Sequence, residues 1–350
     1  MDTHHHKSLA RLKPRPSTIY CSQGRAVLAT NLDGVIGDFP RHGLFVGKTR
    51  LLSRYRYLVD GKPPQTVAVS NVEQHSWLGY YISPAPGVQW KPDTGSGEME
   101  ESSEETIELK VSRNVGLGVH EDIDITNFTQ QAAKFTFEIE IDADFADQAE
   151  IFRRKQRGKL THHWRRISSR QAELAYDYHA SHRYSHQGNR GVAQLHRSLI
   201  VRIEKASSQA SFHGSRLRFD VRLKAHESWH TCIKFTPVFE DKQMPPLYDC
   251  HQFFGARNEL DRKREIFLRE STQFRTGQAV AKLASVVESA LLQATHDLAA
   301  LRLPDLDQGN RSWVTAAGLP IYIALFGRAS LSRSPSPAVN DQGLMESLIP

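Results

Sequence analysis

The sequence predicts a mainly β protein, a large antiparallel β-sandwich followed by an α-helical part. Hydrophobic and polar residues alternate over long stretches between about residues 17 and 249, as in Phe135 to Ile141 and Leu217 to Leu223. Turn signals such as Asp60-Gly61 separate these stretches. Because alternation turns one set of side chains to a core and the other to water, the pattern favours antiparallel strands. After residue 249 the hydrophobic spacing changes to three and four residues, which is typical of helices.

Two helices are expected in that second part. Residues 258–270 are charged on nearly every face, which predicts a solvated linking helix. An amphipathic helix that Pro304 ends should follow. Its apolar stripe consists of Val280, Leu283, Val287, Leu291, Ala294, Leu298 and Leu301. Beyond Leu331, a Ser-rich stretch with Pro335 and Pro337 predicts no continuing helix, so the helical part is expected to be incomplete and its apolar segment to promote self-association.

Composition limits the function classes. The 350 residues carry a formal net charge of +6, which permits an anionic partner without requiring one. Cys21, Cys232 and Cys250 are widely spaced and odd in number, which predicts reduced thiols in the cytoplasm and argues against a disulfide scaffold or a zinc site. We expect no cofactor. The N-terminus lacks the apolar region of a signal peptide, and no apolar stretch reaches the ~20 residues of a membrane span.

Two segments could bind a metal ion, and each has a simpler interpretation. The stretch from His120 to Asp124 could ligate a metal, but strand alternation places Asp122 and Asp124 on one face, and we interpret it as a solvated edge. The short histidine run, His4 to His6, is interpreted as disordered. These assignments leave the chain without a predicted metal site.

A basic cluster spans residues 153–170 and could bind nucleic acid or another polyanion. Only Phe152 and Trp164 interleave with its charges, so base stacking is poorly supported. A solvated, salt-bridged strand and loop is the favoured interpretation, and a polyanion-binding β module is the alternative. Its basic residues are Arg153, Arg154, Lys155, Arg157, Lys159, Arg165, Arg166 and Arg170.

Several ordered motifs then point to a family. Asp33-Gly34, the run His42, Gly43, Leu44 and Phe45, and Thr49-Arg50 resemble the N-terminal domain of bacterial glycogen-debranching-type enzymes, also called amylo-alpha-1,6-glucosidases. The resemblance covers residues 28–238 and resumes in ESALLQATHDLAALR and AAGLPIYIALFGRASL. It implies a supersandwich-like β-sandwich beside an (α/α)6 barrel of six helix pairs, a six-hairpin glycosidase that hydrolyses alpha-1,6 linkages of glucans.

In such enzymes the barrel supplies the two carboxylates that glycoside hydrolysis requires. The helical part here offers Glu288, Asp297, Asp305 and Asp307, for which solvated or capping positions are expected. We therefore expect no catalytic residue in this chain and at most weak glucan binding. Arg328 could contact a sugar through its fork of donors, although pairing with a backbone carbonyl at a helix start is the favoured interpretation. Trp313 could stack on a sugar, although core packing is the commoner use of such a residue.

The sequence departs from the family pattern in three places: Ala329 replaces the usual aspartate beside Arg328, Lys48 replaces an acidic residue, and the match fades beyond Leu331. The predicted organisation has four parts: a disordered tail over 1–18, the β-sandwich over 19–250, a linker helix and first barrel helices over 251–331, and a disordered tail over 332–350. A frameshift or a damaged gene would produce this arrangement.

Overall fold

Two stacked antiparallel sheets form the body of the protein. The computed structural model describes residues 18–37, 39–86, 106–147, 150–152, 158–186, 189–251, 258–273, 281–304, 313–320 and 322–323. The predictions of terminal tails and of the barrel signature around Arg328 therefore lie outside the described residues.

Seven strands make up the first sheet, and every neighbouring pair in it is antiparallel. In spatial order they are β1 (Ile19–Gln23), β2 (Ala26–Thr30), β3 (Gly43–Val46), β4 (Thr49–Val59), β9 (Ala133–Asp147), β14 (Arg216–Leu223) and β13 (Ala210–His213).

The second sheet has nine strands. In spatial order, eight of them are β10 (Lys159–Arg166), β11 (Ala172–His186), β12 (Asn189–Glu204), β15 (Ser228–Phe239), β8 (Val119–Asn127), β7 (Thr106–Val115), β6 (Ser76–Pro84) and β5 (Gln65–Glu73). The short strand β16 (Lys242–Gln243) pairs with β15 at the end of a hairpin.

The core lies between the two sheets, as the alternating pattern predicts. Phe137, Ile139, Phe219 and Val221 from the first sheet are fully buried, and Ile123 from the second sheet is fully buried as well. The polar residues between them on β14 are exposed, which is the half-buried pattern of an antiparallel strand. The prediction of a mainly β, sandwich-like fold is confirmed.

A second apolar cluster covers the outer face of the first sheet. Val27, Ala29 and Phe45 point away from the main core and pack with Leu303 and Ile323. Leu303 belongs to a small two-stranded sheet formed by β17 (Arg302–Pro304) and β18 (Trp313–Thr315). The β-sandwich and the segment that follows it therefore share buried apolar surface.

The first helix, α1 (Glu259–Glu270), has the predicted position but is not the solvated linker that its charge suggests. It begins with a capping box in which Asn258 and Asp261 exchange side chain-to-backbone hydrogen bonds. Asp261 and Phe267 are buried, and Asp261 Oδ1 accepts a hydrogen bond from Tyr248 at 3.0 Å. Arg264 donates to His75 Nδ1 at 2.7 Å. One face of α1 therefore docks on the edge of the second sheet, so the interpretation of a fully solvated helix is wrong.

The second helix, α2 (Ala281–Ala300), carries exposed apolar side chains. Val286, Val287 and Leu292 are 64%, 40% and 56% exposed, whereas Ala299 and Ala300 at the helix end are buried. Self-association through this helix stays a prediction. Neither helix within the described ranges combines the length and the apolar character that a membrane crossing requires.

The docking of α1 gives stability a pH dependence. Burial, and after it the charge of Arg264, lower the pKa of His75 from 6.5 to about 4, against the opposing effects of Asp261 and Glu73. Between these two pKa values the unfolded chain binds a proton that the native protein does not, so native stability falls as the pH drops from about 6.5 to about 4.

We predict that His75→Gln removes up to about 1.4 kcal/mol per pH unit from the slope of unfolding free energy against pH in this window. Urea titrations from pH 4 to 7 measure the slope. His213→Gln is the control, because His213 lies exposed at the end of β13. An unchanged slope in His75→Gln would contradict the prediction.

Candidate functional site

A buried ion pair lies between the two sheets. Arg113 on β7 and Glu121 on β8 are direct ladder partners and are 2% and 1% exposed. Arg113 Nε donates to Glu121 Oε2, and Arg113 also donates to the hydroxyl of Tyr57 on the opposite sheet. Tyr55 and Tyr57 donate to the two oxygens of Glu121 at 2.5 and 2.9 Å. Both charges are therefore satisfied by groups from both sheets.

The family signature residues surround this pair. The remaining guanidinium nitrogen of Arg113 donates to the carbonyl oxygen of Gly34. The ring of Trp77 lies under the guanidinium at 4.8 Å, and a Cβ on Gly34 would come within 2.2 Å of that ring. The carbonyl oxygen of Asp33 accepts a hydrogen bond from Tyr81 at 2.5 Å. The Asp33-Gly34 motif thus fits a turn closely against the charged centre of the sandwich.

Arg50 fastens a second signature segment. Its Nε donates to the Asp144 carboxylate at 3.1 Å, and its Nη1 donates to the carbonyl oxygen of Pro40 at 2.7 Å. Gly43 passes so close that a Cβ there would lie 2.6 Å from the Arg50 side chain and from the carbonyl oxygen of Leu52. Arg50 therefore fixes the loop before β3 against β9.

The other signature residues are also buried. His42 is 2% exposed, lies 3.1 Å from the Thr18 hydroxyl, and has a pKa that burial lowers. Leu44 belongs to the main core, whereas Phe45, one residue on, belongs to the outer apolar cluster. Thr49 accepts a hydrogen bond at 2.6 Å from Arg197 of the second sheet. All these side chains make their contacts within the protein interior.

A different set of polar side chains occupies the outer face of the second sheet, and we call it the His–Cys cluster. It consists of His120, Asp122 and Asp124 on β8, His230 and Cys232 on β15, and Cys250 and His251 from the segment after β16. The strand register pairs Asp122 with Cys232 and Asp124 with His230. Alternation then places all five strand residues on the face that points away from the core.

Distances within the His–Cys cluster are short. His120 Nε2 lies 2.8 Å from Cys232 Sγ, and His230 Nε2 lies 3.1 Å from Cys250 Sγ. Asp122 Oδ1 lies 3.6 Å from His120 Nε2 and 3.8 Å from His230 Nε2. Burial raises the pKa of both thiols, and the Asp122 carboxylate raises them further. All three cysteines are free.

The interpretation of residues His120 to Asp124 as a solvated edge is wrong. Strand β8 lies inside the sheet between β15 and β7, and His120 and Asp122 are 1% and 3% exposed. The wide sequence spacing of Cys232 and Cys250 likewise does not keep them apart, because the charge of the same carboxylate, Asp122, raises the pKa of both thiols. The sequence did contain a signal for this cluster, in the patterns His-x-Asp-x-Asp and His-x-Cys. Residues two apart on a strand share a face, so two neighbouring strands with these patterns could bring the side chains together.

The described part of the basic cluster forms the edge strand β10, where positive side chains oppose sheet-to-sheet aggregation. Arg165 is paired with Glu173 at 2.9 Å, and its side chain is 69% exposed. Trp164 packs against Phe212 with ring centroids 5.9 Å apart. Residues 153–157 lie outside the described residues.

The predicted sugar contacts do not share a described site. Trp313 is 7% exposed and meets the ring of Phe267 edge-on at 5.6 Å. Arg328 lies outside the described residues, so a sugar role for this pair stays a prediction. Of the acidic candidates, Asp297 accepts from Gln293 at 2.9 Å, while Asp305 and Asp307 are not among the described residues.

The fold and its signature contacts define a β-sandwich domain in which the signature residues hold the scaffold. The family model described as "N-terminal domain of (some) glycogen debranching enzymes" matches residues 22–234. The chain belongs to this family. No curated protein matches the sequence.

Two solved structures are similar to the chain at 7% sequence identity each. A galactose mutarotase-like protein from Clostridium acetobutylicum has a TM-score of 0.33, and the match covers 63% of this chain and 94% of that chain. A candidate kojibiose phosphorylase from human microbiome has a TM-score of 0.37, with 80% of this chain and 35% of that chain covered. The chain therefore spans about a third of the length of that second protein.

We predict that Glu121→Leu costs about 3–5 kcal/mol of unfolding free energy, because it leaves the buried Arg113 charge unpaired. Asp220→Ala is the control, since it removes the exposed Arg218–Asp220 pair and should cost at most about 1 kcal/mol. Urea denaturation of both variants measures the difference. Equal losses in the two variants would contradict a structural role for the buried pair.

A matched pair of glycine substitutions tests the Asp33-Gly34 turn. Gly34 and Gly24 both have positive φ angles, +76° and +59°, but only Gly34 faces a ring where its Cβ would lie. Gly24→Ala should cost about 1–2 kcal/mol for its backbone conformation, and Gly34→Ala should cost about 1–3 kcal/mol more for the clash with Trp77. Melting temperatures measure both costs. Similar temperatures for the two variants would refute the steric account.

Proposed function

We propose that this chain acts as the non-catalytic N-terminal β-sandwich portion of a cytoplasmic α-glucan debranching glycoside hydrolase. The observation that carries the proposal is the family match over residues 22–234, which runs from β1 into β15 and so spans nearly the whole sandwich. Membership supports a glycoside hydrolase-related role. The particular glucan and the reaction of the whole enzyme belong to the proposal.

The contacts of the polar groups support a non-catalytic role for the sandwich. Glycoside hydrolysis needs two carboxylates ~5–10 Å apart on either side of a bound sugar. Glu121 is enclosed by Arg113 and two tyrosines, and Asp144 is held by Arg50. Both carboxylates are engaged by these partners, which supports a stabilising role for them and not a role as a catalytic pair.

We predict that the purified chain releases no glucose from a branched α-glucan above a buffer blank, and that it co-sediments weakly with glycogen. Glu288→Gln and Asp297→Asn are the matched variants, because these carboxylates lie in α2, where the resemblance puts the first barrel helix. Sustained glucose release that either variant abolishes would contradict the non-catalytic assignment.

DNA-binding measurements on the same purified chain distinguish the alternative function, which is polyanion binding by the basic cluster. Weak DNA binding that disappears by physiological salt fits an edge strand with solvated charges. Submicromolar DNA affinity at that salt, lost in Arg165→Ala/Arg166→Ala but retained in Arg216→Ala on the other sheet, would support the alternative and count against the glucan-enzyme role.

A further inference from the structure

We propose that the His–Cys cluster is a binding site for one thiophilic divalent cation of the Zn²⁺ class. Cys232 and Cys250 supply the two sulfur ligands, and His120 and His230 supply the two nitrogen ligands, with Asp122 between them. Thiolate and imidazole are the ligands that Zn²⁺ prefers, and a set of two of each is a common structural zinc site.

The separations of the donor atoms within each half of the cluster suit an ion. With Zn–N bonds of ~2.0–2.1 Å and Zn–S bonds of ~2.3 Å, tetrahedral ligands lie ~3.3–3.8 Å from one another. The two nitrogen–sulfur pairs are 2.8 and 3.1 Å apart without an ion. Each pair would open by less than about 1 Å to admit the ion. His120, Asp122 and Cys232 form one group of potential ligand atoms within 4.8 Å, and His230, Cys250 and His251 form another.

The two groups meet at Asp122. Its Oδ1 lies 3.6 and 3.8 Å from the Nε2 atoms of His120 and His230. The Asp122 carboxylate also lies close enough to both thiols to interact with them electrostatically, and Cys250 lies close enough to Cys232 to interact with it. One ion at this junction would therefore draw ligands from two strands and from the segment that covers them.

An unsatisfied polar atom points to a ligand at this junction. Asp122 is 3% exposed, and its Oδ1 has no hydrogen-bond partner. Its other oxygen accepts the backbone N–H of His251 at 2.9 Å, which fixes the carboxylate in place. Buried carboxylate oxygens are rarely left without a partner, and a cation held by the neighbouring imidazoles and thiolates would balance the charge of this one.

The surroundings also orient the imidazole of His230. Its Nδ1 hydrogen-bonds to Asp124 Oδ1 at 2.7 Å, so the ring presents the unprotonated Nε2 to the junction. A carboxylate on the far nitrogen is the usual outer partner of a zinc-bound histidine. The nearby positive charge of Lys234 is balanced by Glu204 at 3.0 Å and Asp249 at 2.9 Å.

One half of the His–Cys cluster is held rigidly, and the other half is accessible to an ion. His120 and Cys232 lie on interior strands of the second sheet and are buried, so this half of the site is held by the ladder. His251 lies at the surface with a side chain 64% exposed, and Cys250 is half-buried beside it. An ion can enter from this outer side.

The test uses the full chain under reducing conditions, with His4, His5 and His6 changed to alanine in every sample so that the terminal run binds nothing. Co²⁺ is titrated first, and Zn²⁺ is then added to displace it. We expect one Co²⁺ per chain, with thiolate-to-cobalt charge-transfer absorption and the d–d bands of a tetrahedral site. Zn²⁺ should also raise the melting temperature.

Cys250→Ser and Cys232→Ser should each weaken binding by on the order of 100-fold and diminish the charge-transfer band. Cys21→Ala is the matched control, because Cys21 is also a buried free cysteine but lies on β1 in the first sheet. Asp124→Asn should weaken binding about 10–100-fold while leaving the charge-transfer band in place, as expected of a positioning residue.

Three results would overturn the proposal: no Co²⁺ or Zn²⁺ bound at micromolar concentrations, binding that both cysteine variants retain, or a Cys232–Cys250 disulfide that persists under reduction and excludes the ion. Circular dichroism establishes that each variant is folded. Because Cys250 is only half-buried, Cys250→Ser keeps the test decisive even where Cys232→Ser unfolds the chain.

Discussion

The buried pair of Arg113 and Glu121 sets how the two sheets meet. A charge enclosed between sheets is tolerated only where partners satisfy it, and here Tyr55 and Tyr57 reach across from β4 to do so. A shift of β4 by two residues would keep the same faces inward but would remove these hydroxyls from the charges. The polar contact therefore selects one arrangement among several that apolar packing alone would accept, and the Gly34 turn is fitted to it.

Strands with one wet face could be predicted from the sequence, and strands with two covered faces could not. On β9 and β14 the polar residues face water, so the alternation of residue types in the sequence matches the alternation of buried and accessible side chains. On β8 the polar residues are buried on both faces, with Glu121 in the core and His120 under the segment after β16. A pattern of residue types records which side chains share a face, but it does not record what covers that face.

The functional contacts depend on pairings that sequence spacing does not reveal. Cys232 lies opposite Asp122 because of the register of β15 on β8, across more than a hundred residues of chain. Cys250 and His251 then fold back over both strands. In the same way, the sequence predicts Asp261 to be one more solvated charge of α1, yet it is buried, and the hydrogen bond from Tyr248 offsets the cost of burying it. The signature motif could be recognised in the sequence and identified the family. These contacts, by contrast, could be found only in the three-dimensional structure.

The outer apolar cluster leaves apolar surface of the nascent chain uncovered during biosynthesis. Val27 and Ala29 are synthesised well before their apolar partners Leu303 and Ile323. At ~5–20 residues per second, the nascent chain carries this uncovered patch for roughly 15–60 s. β2 and β3 are thus exposed to non-native association until residues 303–323 are made, and a chaperone that shields these two strands would act in that interval.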